Sequence, residues 1–434
     1  MIFPNRIETI AELRPHSQTI HLHKIDGEEF IRQLQERDFA NLREPLGIIS
    51  HEMTHWFDLI GTLWGQRYLS IIYDAFDIIN NKKDNPEFTW WKAIKLFDED
   101  RRIMFPQYYK TVSNKYKDHT PNHPWYLTYS VGHEFDPYGM VDINKPIFFV
   151  NFLDNPTGDR IIRQPLSIGS LLESIAVYSE IISNIACIES LQCKASKIIE
   201  YNNMNENIGG IFYDRNLTEY TAAAHITSKH VGSKDGFTSY MYTSHVAYLC
   251  LNMPDKLFSN VKIPKVLSFI PKPITDNLLL IRDRGFLFSC IMLNSLPHNE
   301  NVDVIQWLET ALLRTGLPSI DQIEYEAKES ILRLHETIRI NNNIDKHLYF
   351  LLSNGISIYD IRRTKSNNKD ILSMINEGIR FPKIFDREGN LFSFSKKVLT
   401  EKFANPEMMF DQEWKLRNFT DNFLRGCRGF PEAG

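Results

Sequence analysis

The chain of 434 residues lacks a basic excess: 49 Lys and Arg stand against 54 Asp and Glu, for a formal net charge of -5. A nucleic-acid binder has to neutralise a row of phosphates, so no nucleic-acid partner is expected. Cysteine is scarce. Cys187, Cys193, Cys250, Cys290 and Cys427 are odd in number, lie largely in apolar surroundings and contain no CxxC pair. They read as reduced, buried thiols and not as a disulfide framework. Also absent are a Gly-rich loop ending in Lys-Ser/Thr and a Gly-x-Ser-x-Gly elbow, which removes nucleotide and serine-nucleophile chemistry. No internal repeat is found.

Long apolar runs are missing as well. The strongest candidate, LLLIRDRGFLFSCIML, is interrupted by Arg282, Asp283 and Arg284, so no membrane partner is expected. In the first residues, Pro4, Arg6, Glu8 and Glu12 stand where a signal peptide needs an apolar core. The expected location is the cytoplasm.

What is present suits a folded protein: 43% hydrophobic and 12% aromatic residues give material for a core. The length exceeds the roughly 250–300 residues at which a single core stops growing, so two domains are expected. Gln18 to Lys24 alternates as a strand, and Glu28 to Arg37 follows as a short amphipathic helix. Three helical patterns follow: Leu46 to Ile60, Tyr68 to Ile78, and the surroundings of Trp90 and Trp91. Between Trp125 and Asp154 the runs YLTYSVG, YGMVDI and PIFFVNFLD have strand character. Ser167 or Ser170 is expected to start a long helix to about Ile199, and the polar run Tyr201 to Gly210 reads as a loop or boundary.

One spacing carries chemistry. His51-Glu52-Met53-Thr54-His55 places two imidazoles four residues apart, about 40° around a helix and roughly 6 Å along it. Both can therefore close on one zinc ion, while Glu52 can take a proton from a zinc-bound water. The flanking Ile48, Ile49, Trp56, Phe57, Leu59 and Ile60 make this helix apolar on most sides, hence buried. Buried histidines and a glutamate each need a polar partner, because leaving one unsatisfied costs roughly 2–7 kcal/mol. One ion would satisfy all three.

Two histidines leave the ion short of a ligand. In the segment Gly169 to Asn184, Glu173, Ala176, Val177, Glu180 and Asn184 share one stripe of an otherwise apolar helix. Glu173 is the expected third ligand, because Ala176 leaves room beside it. Glu180 and Asn184, with Asp58 on the motif helix, are the expected partners to a ligand histidine, and Glu180 is the alternative ligand. The competing structural reading pairs both glutamates with basic residues such as Arg160 or Arg163. His133, Glu134, Asp136, Tyr129 and Tyr138 are candidates for a cleft, although exposed hairpin positions explain them better. His225 and His230 are five apart, off a common face, and read as structural.

HExxH followed by a glutamate on a later helix resembles the gluzincin arrangement of zinc metallopeptidases. That resemblance implies Zn2+ held by His51, His55 and a downstream Glu, with Glu52 as general base. The 117 residues between His55 and Glu173 exceed the gap of the thermolysin-like members. The reading is thus an α+β, mainly helical fold. A zincin-like, zinc-dependent catalytic domain over residues 1–200 carries a small, mostly antiparallel sheet, and a helical region over 201–434 recruits substrate or regulates. The expected activity is an intracellular metallopeptidase acting on a protein or peptide substrate. The alternatives are a zinc amidase or other hydrolase, and a non-catalytic helical interaction protein whose zinc is structural or absent.

Overall fold

The computed structural model describes residues 10–80, 86–104, 108–114, 119–136, 139–233, 235–297, 302–363, 378–393, 399–400 and 406–427. The chain opens with β1 (Glu12–Arg14), β2 (Thr19–His21), α1 (Gly27–Glu36), α2 (Phe39–Gly61), α3 (Leu63–Asn80) and α4 (Pro86–Met104). Next come β3 (Thr111–Val112), β4 (Tyr126–Phe135), β5 (Val141–Leu153) and β6 (Arg160–Pro165). The helices that follow are α5 (Ile168–Ser190), α6 (Lys194–Phe212), α7 (Thr218–Thr227), α8 (Gly236–Leu251), α9 (Lys272–Leu280), α10 (Arg284–Asn294), α11 (Val304–Thr315), α12 (Ile320–Glu336) and α13 (Asn343–Ile361). Last are β7 (Arg380–Phe381), β8 (Lys383–Phe385), β9 (Leu391–Phe392), β10 (Leu399–Thr400) and α14 (Pro406–Cys427). The fold is α+β and mainly helical, as the sequence patterns predict.

Two compact units divide the chain. One holds Met1–Asp100, Lys328–Arg362 and Asn368–Gly434, the other Arg101–Ala327 and Arg363–Asn367. In the first unit, Asp38 caps α2 by accepting from the Asn41 amide. α2 then packs on α3 and α13. The approach to α13 is close: a Cβ on Gly355 would stand 1.9 Å from the Ile60 carbonyl oxygen, so only glycine fits there. A sheet in the order β1-β2-β8-β9 completes this unit, with β2 and β8 parallel.

In the second unit β3-β6-β5-β4 form an antiparallel sheet. Leu127, Tyr129, Phe148, Val150 and Phe152 line one face. Phe148 meets Phe286 of α10 edge-on and Phe152 meets His225 of α7. Val141 to Ile143 of the second run and Pro146 to Leu153 of the third belong to one strand, β5. Pro146 has no N–H to give the ladder, and the register shifts opposite it, between His133 and Glu134, so that the strand continues past the interruption.

The long helix expected to reach Ile199 is two helices. Ser167 caps α5 through a reciprocal pair with Ser170, and an extended Leu191 ends it. Tyr201–Gly210, expected as a loop at a boundary near residue 200, lies inside α6. Met204, Ile208 and Phe212 recur every four residues and pack on the cluster around Tyr178, Ile181 and Tyr240, a stripe that the surrounding asparagines hide. α5 between Ile168 and Glu189 is also long and apolar enough to cross a membrane by length and composition alone. Half of that span is buried, and α5 packs on α7 and α8.

Candidate metal centre

The central part of α2 carries the motif. One helical turn brings the His51 and His55 rings to a centroid separation of 4.8 Å, nearly perpendicular to each other. Both rings are half-buried, and Glu52 is buried at 8% exposure. Between them, Met53 and Thr54 face inward, and the Thr54 hydroxyl donates to the Ser50 carbonyl at 2.7 Å. The helix therefore holds its two imidazoles on a face that is neither sealed nor freely solvated.

Glu173 stands on the second turn of α5 and is half-buried. His51 and His55 belong to the first unit and Glu173 to the second. Two neutral nitrogens and one carboxylate oxygen are the donor set of a zinc site that keeps a position open.

Glu180 lies two turns further along α5, near Tyr240, whose hydroxyl is pushed up by burial first and by the Glu180 charge second. The Asn184 side chain makes no hydrogen bond among the described residues. Of the competing structural reading, the pairing with Arg160 or Arg163 is not seen: neither arginine takes part in an ion pair among the described residues.

Asp58 has a different partner from the one expected. It is fully buried, and its carboxylate meets Arg362, just beyond α13, at 2.8 Å. Burial pushes the Asp58 carboxyl above its ordinary value, against the opposing pull of Arg362 and then of His55. Asp58 is thus held in place by Arg362. Sequence spacing pointed to Asp58 but had no means of finding Arg362.

The remaining candidates resolve as structural groups. Glu134, expected at an exposed hairpin position, lies in β4 as a largely buried ion-pair partner of Arg101. Asp136 caps the hairpin by accepting from the Met140 amide at 2.8 Å. Tyr129 stacks on Phe148, and burial pushes its hydroxyl up. Tyr138 lies outside the described residues. His225 is buried among Trp125, Phe152, Phe212 and Tyr213, with Nε2 at 2.6 Å from the Phe212 carbonyl. His230 lies in the single π turn after α7. Of the thiols, Cys187, Cys250 and Cys290 are buried, whereas Cys193 is exposed at the start of α6, where amides of the first turn lower its pKa. Comparison with family models, with curated proteins and with solved structures gives no match to this chain.

Proposed function

We propose that this chain is a zinc-dependent hydrolase of the HExxH type, a metallopeptidase that cleaves a peptide bond in a restricted set of protein substrates. The observation that carries the reading lies within the first unit: two half-buried imidazoles one turn apart on α2, with ring centroids 4.8 Å apart and the buried Glu52 adjacent in sequence. His51, His55 and Glu173 would hold the ion in a gluzincin-like manner. When bound, zinc brings the pKa of a coordinated water down to about 7. Glu52 would accept a proton from the attacking water and pass it to the leaving amine. Glu173 would offset part of the ion's charge, and the imidazoles would serve as neutral donors.

Within this reading the enzyme works in the cytoplasm and α5 is a core helix. Its packing on α7 and α8 and its two acids, Glu173 and Glu180, support that assignment. An HExxH enzyme among cellular proteins needs narrow specificity, so a general casein-type substrate is the wrong probe. The test is elemental analysis of the full chain, followed by mass-spectrometric readout of a peptide library with wild type and Glu52→Gln. About one zinc per chain is expected, with cleavage that Glu52→Gln reduces by about 100- to 10,000-fold. A folded chain that takes up no zinc on reconstitution would end this reading.

A further inference from the structure

The face of the second unit's sheet opposite Phe148 and Phe152 carries a different kind of surface. Thr128 and Ser130 from β4, Asn151 from β5 and Arg163 from β6 share it. They form one chain of long hydrogen bonds. Arg163 Nε donates to the Ser130 hydroxyl at 3.4 Å, Ser130 donates to Asn151 Oδ1 at 3.3 Å, and Asn151 Nδ2 donates to Thr128 at 3.4 Å. The Arg163 guanidinium lies across β5, its carbon 3.6 Å from the centre of the Phe149 ring. Gly132 makes the space: a Cβ there would stand 2.8 Å from Arg163 Nη2.

This arginine is placed but not neutralised. Beyond Ser130, its one further hydrogen bond goes from Nη2 to the Val131 carbonyl at 3.3 Å, and no carboxylate pairs with it among the described residues. Glu134, on the same face further along β4, is already taken by Arg101. Arg160 adds a second positive charge nearby and likewise has no ion-pair partner among the described residues. Desolvation first, and Arg160 second, hold the Arg163 pKa below its ordinary value. A half-buried cation without a counter-ion is a cost to the fold. A guanidinium has five donors in a rigid fork, and two are used here, both in long bonds.

The geometry points to Arg163 as the recognition site for a carboxylate on a polypeptide, with Phe149 and Gly132 fixing the plane of the fork and Ser130 steadying it. The choice of polypeptide rests on the proposed peptidase reading; the choice of a planar anion rests on the fork alone. The carboxylate comes from an acidic side chain or from a chain end, and both present the same two oxygens.

The test reads binding, independently of zinc or turnover. The full chain is titrated against fluorescent peptides in three forms: blocked at both ends with a central Glu, the same with Gln, and the Gln peptide with a free C-terminal carboxylate. Wild type is expected to bind at least one carboxylate form about tenfold more tightly than the blocked Gln form, with the preference falling as salt is raised. Arg163→Gln should erase that preference while its melting temperature stays at or above wild type, since it relieves an uncompensated charge. Gly132→Ala should weaken the preference without removing any charge. Equal binding of all three peptides by wild type, or a preference that survives in Arg163→Gln, overturns the assignment. Zinc content measured on the same preparations keeps a failure here separate from a failure of the metallopeptidase reading.

Discussion

Arg362 reaches the fully buried Asp58 at 2.8 Å, one turn beyond His55 on the motif helix. No hydroxyl or amide supplements the pair at Asp58 among the described residues, so the carboxylate depends on Arg362 for its compensation. Breaking a buried pair strands the remaining charge and costs about 3–5 kcal/mol. Arg362→Ala and Asp58→Ala are each expected to lower stability by that order in urea titrations. The double variant Asp58→Leu/Arg362→Met should recover much of the loss. A single variant within about 0.5 kcal/mol of wild type would show that the pair has no such role.

Zinc retention is expected to separate the proposed ligands His51 and His55 from His225. His51→Ala or His55→Ala should each lose most of the metal from the purified chain, because each removes one bond to the ion. His225→Ala should keep it while losing stability, since His225 is a buried partner of the Phe212 carbonyl. Equal zinc content in all three variants would contradict the assignment.

Competitive chelator titration distinguishes the two acids of α5. Glu173→Ala should weaken zinc affinity strongly, losing a ligand and a compensating charge together. Glu180→Ala is the matched control, two turns away and near Tyr240, and should change affinity little. A larger loss for Glu180→Ala would transfer the ligand role to it.

Two neutral histidines make the fold sensitive to acid. Burial pulls His225 and His347 down to about 3, and His347 sits with Nδ1 at 2.6 Å from the Tyr73 hydroxyl. Their folded values lie below the unfolded value near 6.5, so their contribution is complete above that pH. Below it the unfolded chain binds protons that the folded chain refuses. Stability should then fall toward pH 3, by up to about 1.4 kcal/mol per pH unit for each histidine. Asp283, raised to about 6 by burial, works in the opposite sense, so the diagnostic is a difference. His225→Phe should decline less steeply than wild type between pH 6 and 4.5 in denaturation series; identical slopes would remove His225 from the account.

The helices of the first hundred residues were legible because apolar residues recur at helical spacing there, as in the Leu46–Ile60 stretch of α2. The His51–His55 pair was legible for a stricter reason: a four-residue spacing has one geometric meaning on a helix. What stayed hidden depends on residues far apart in the chain. Nothing in the sequence joins Asp58 to Arg362, or lays Arg163 across Phe149, since each contact is created by packing or strand register. Tyr201–Gly210 misled for a local reason: its asparagines suggest a loop, while Met204, Ile208 and Phe212 supply the few apolar contacts that a surface helix needs.

The partner that compensates Asp58 is made late. At roughly 5–20 residues per second, a ribosome needs about 15–60 s to travel from Asp58 to Arg362. Through that interval the nascent motif helix has neither α13 against it nor the guanidinium that steadies its buried acid. A peptidase built this way would stay unfinished while still attached to the machinery making it, and would become competent only after the intervening unit had been synthesised. The order of synthesis would then act as a timer, postponing hydrolysis until Arg362 has been made.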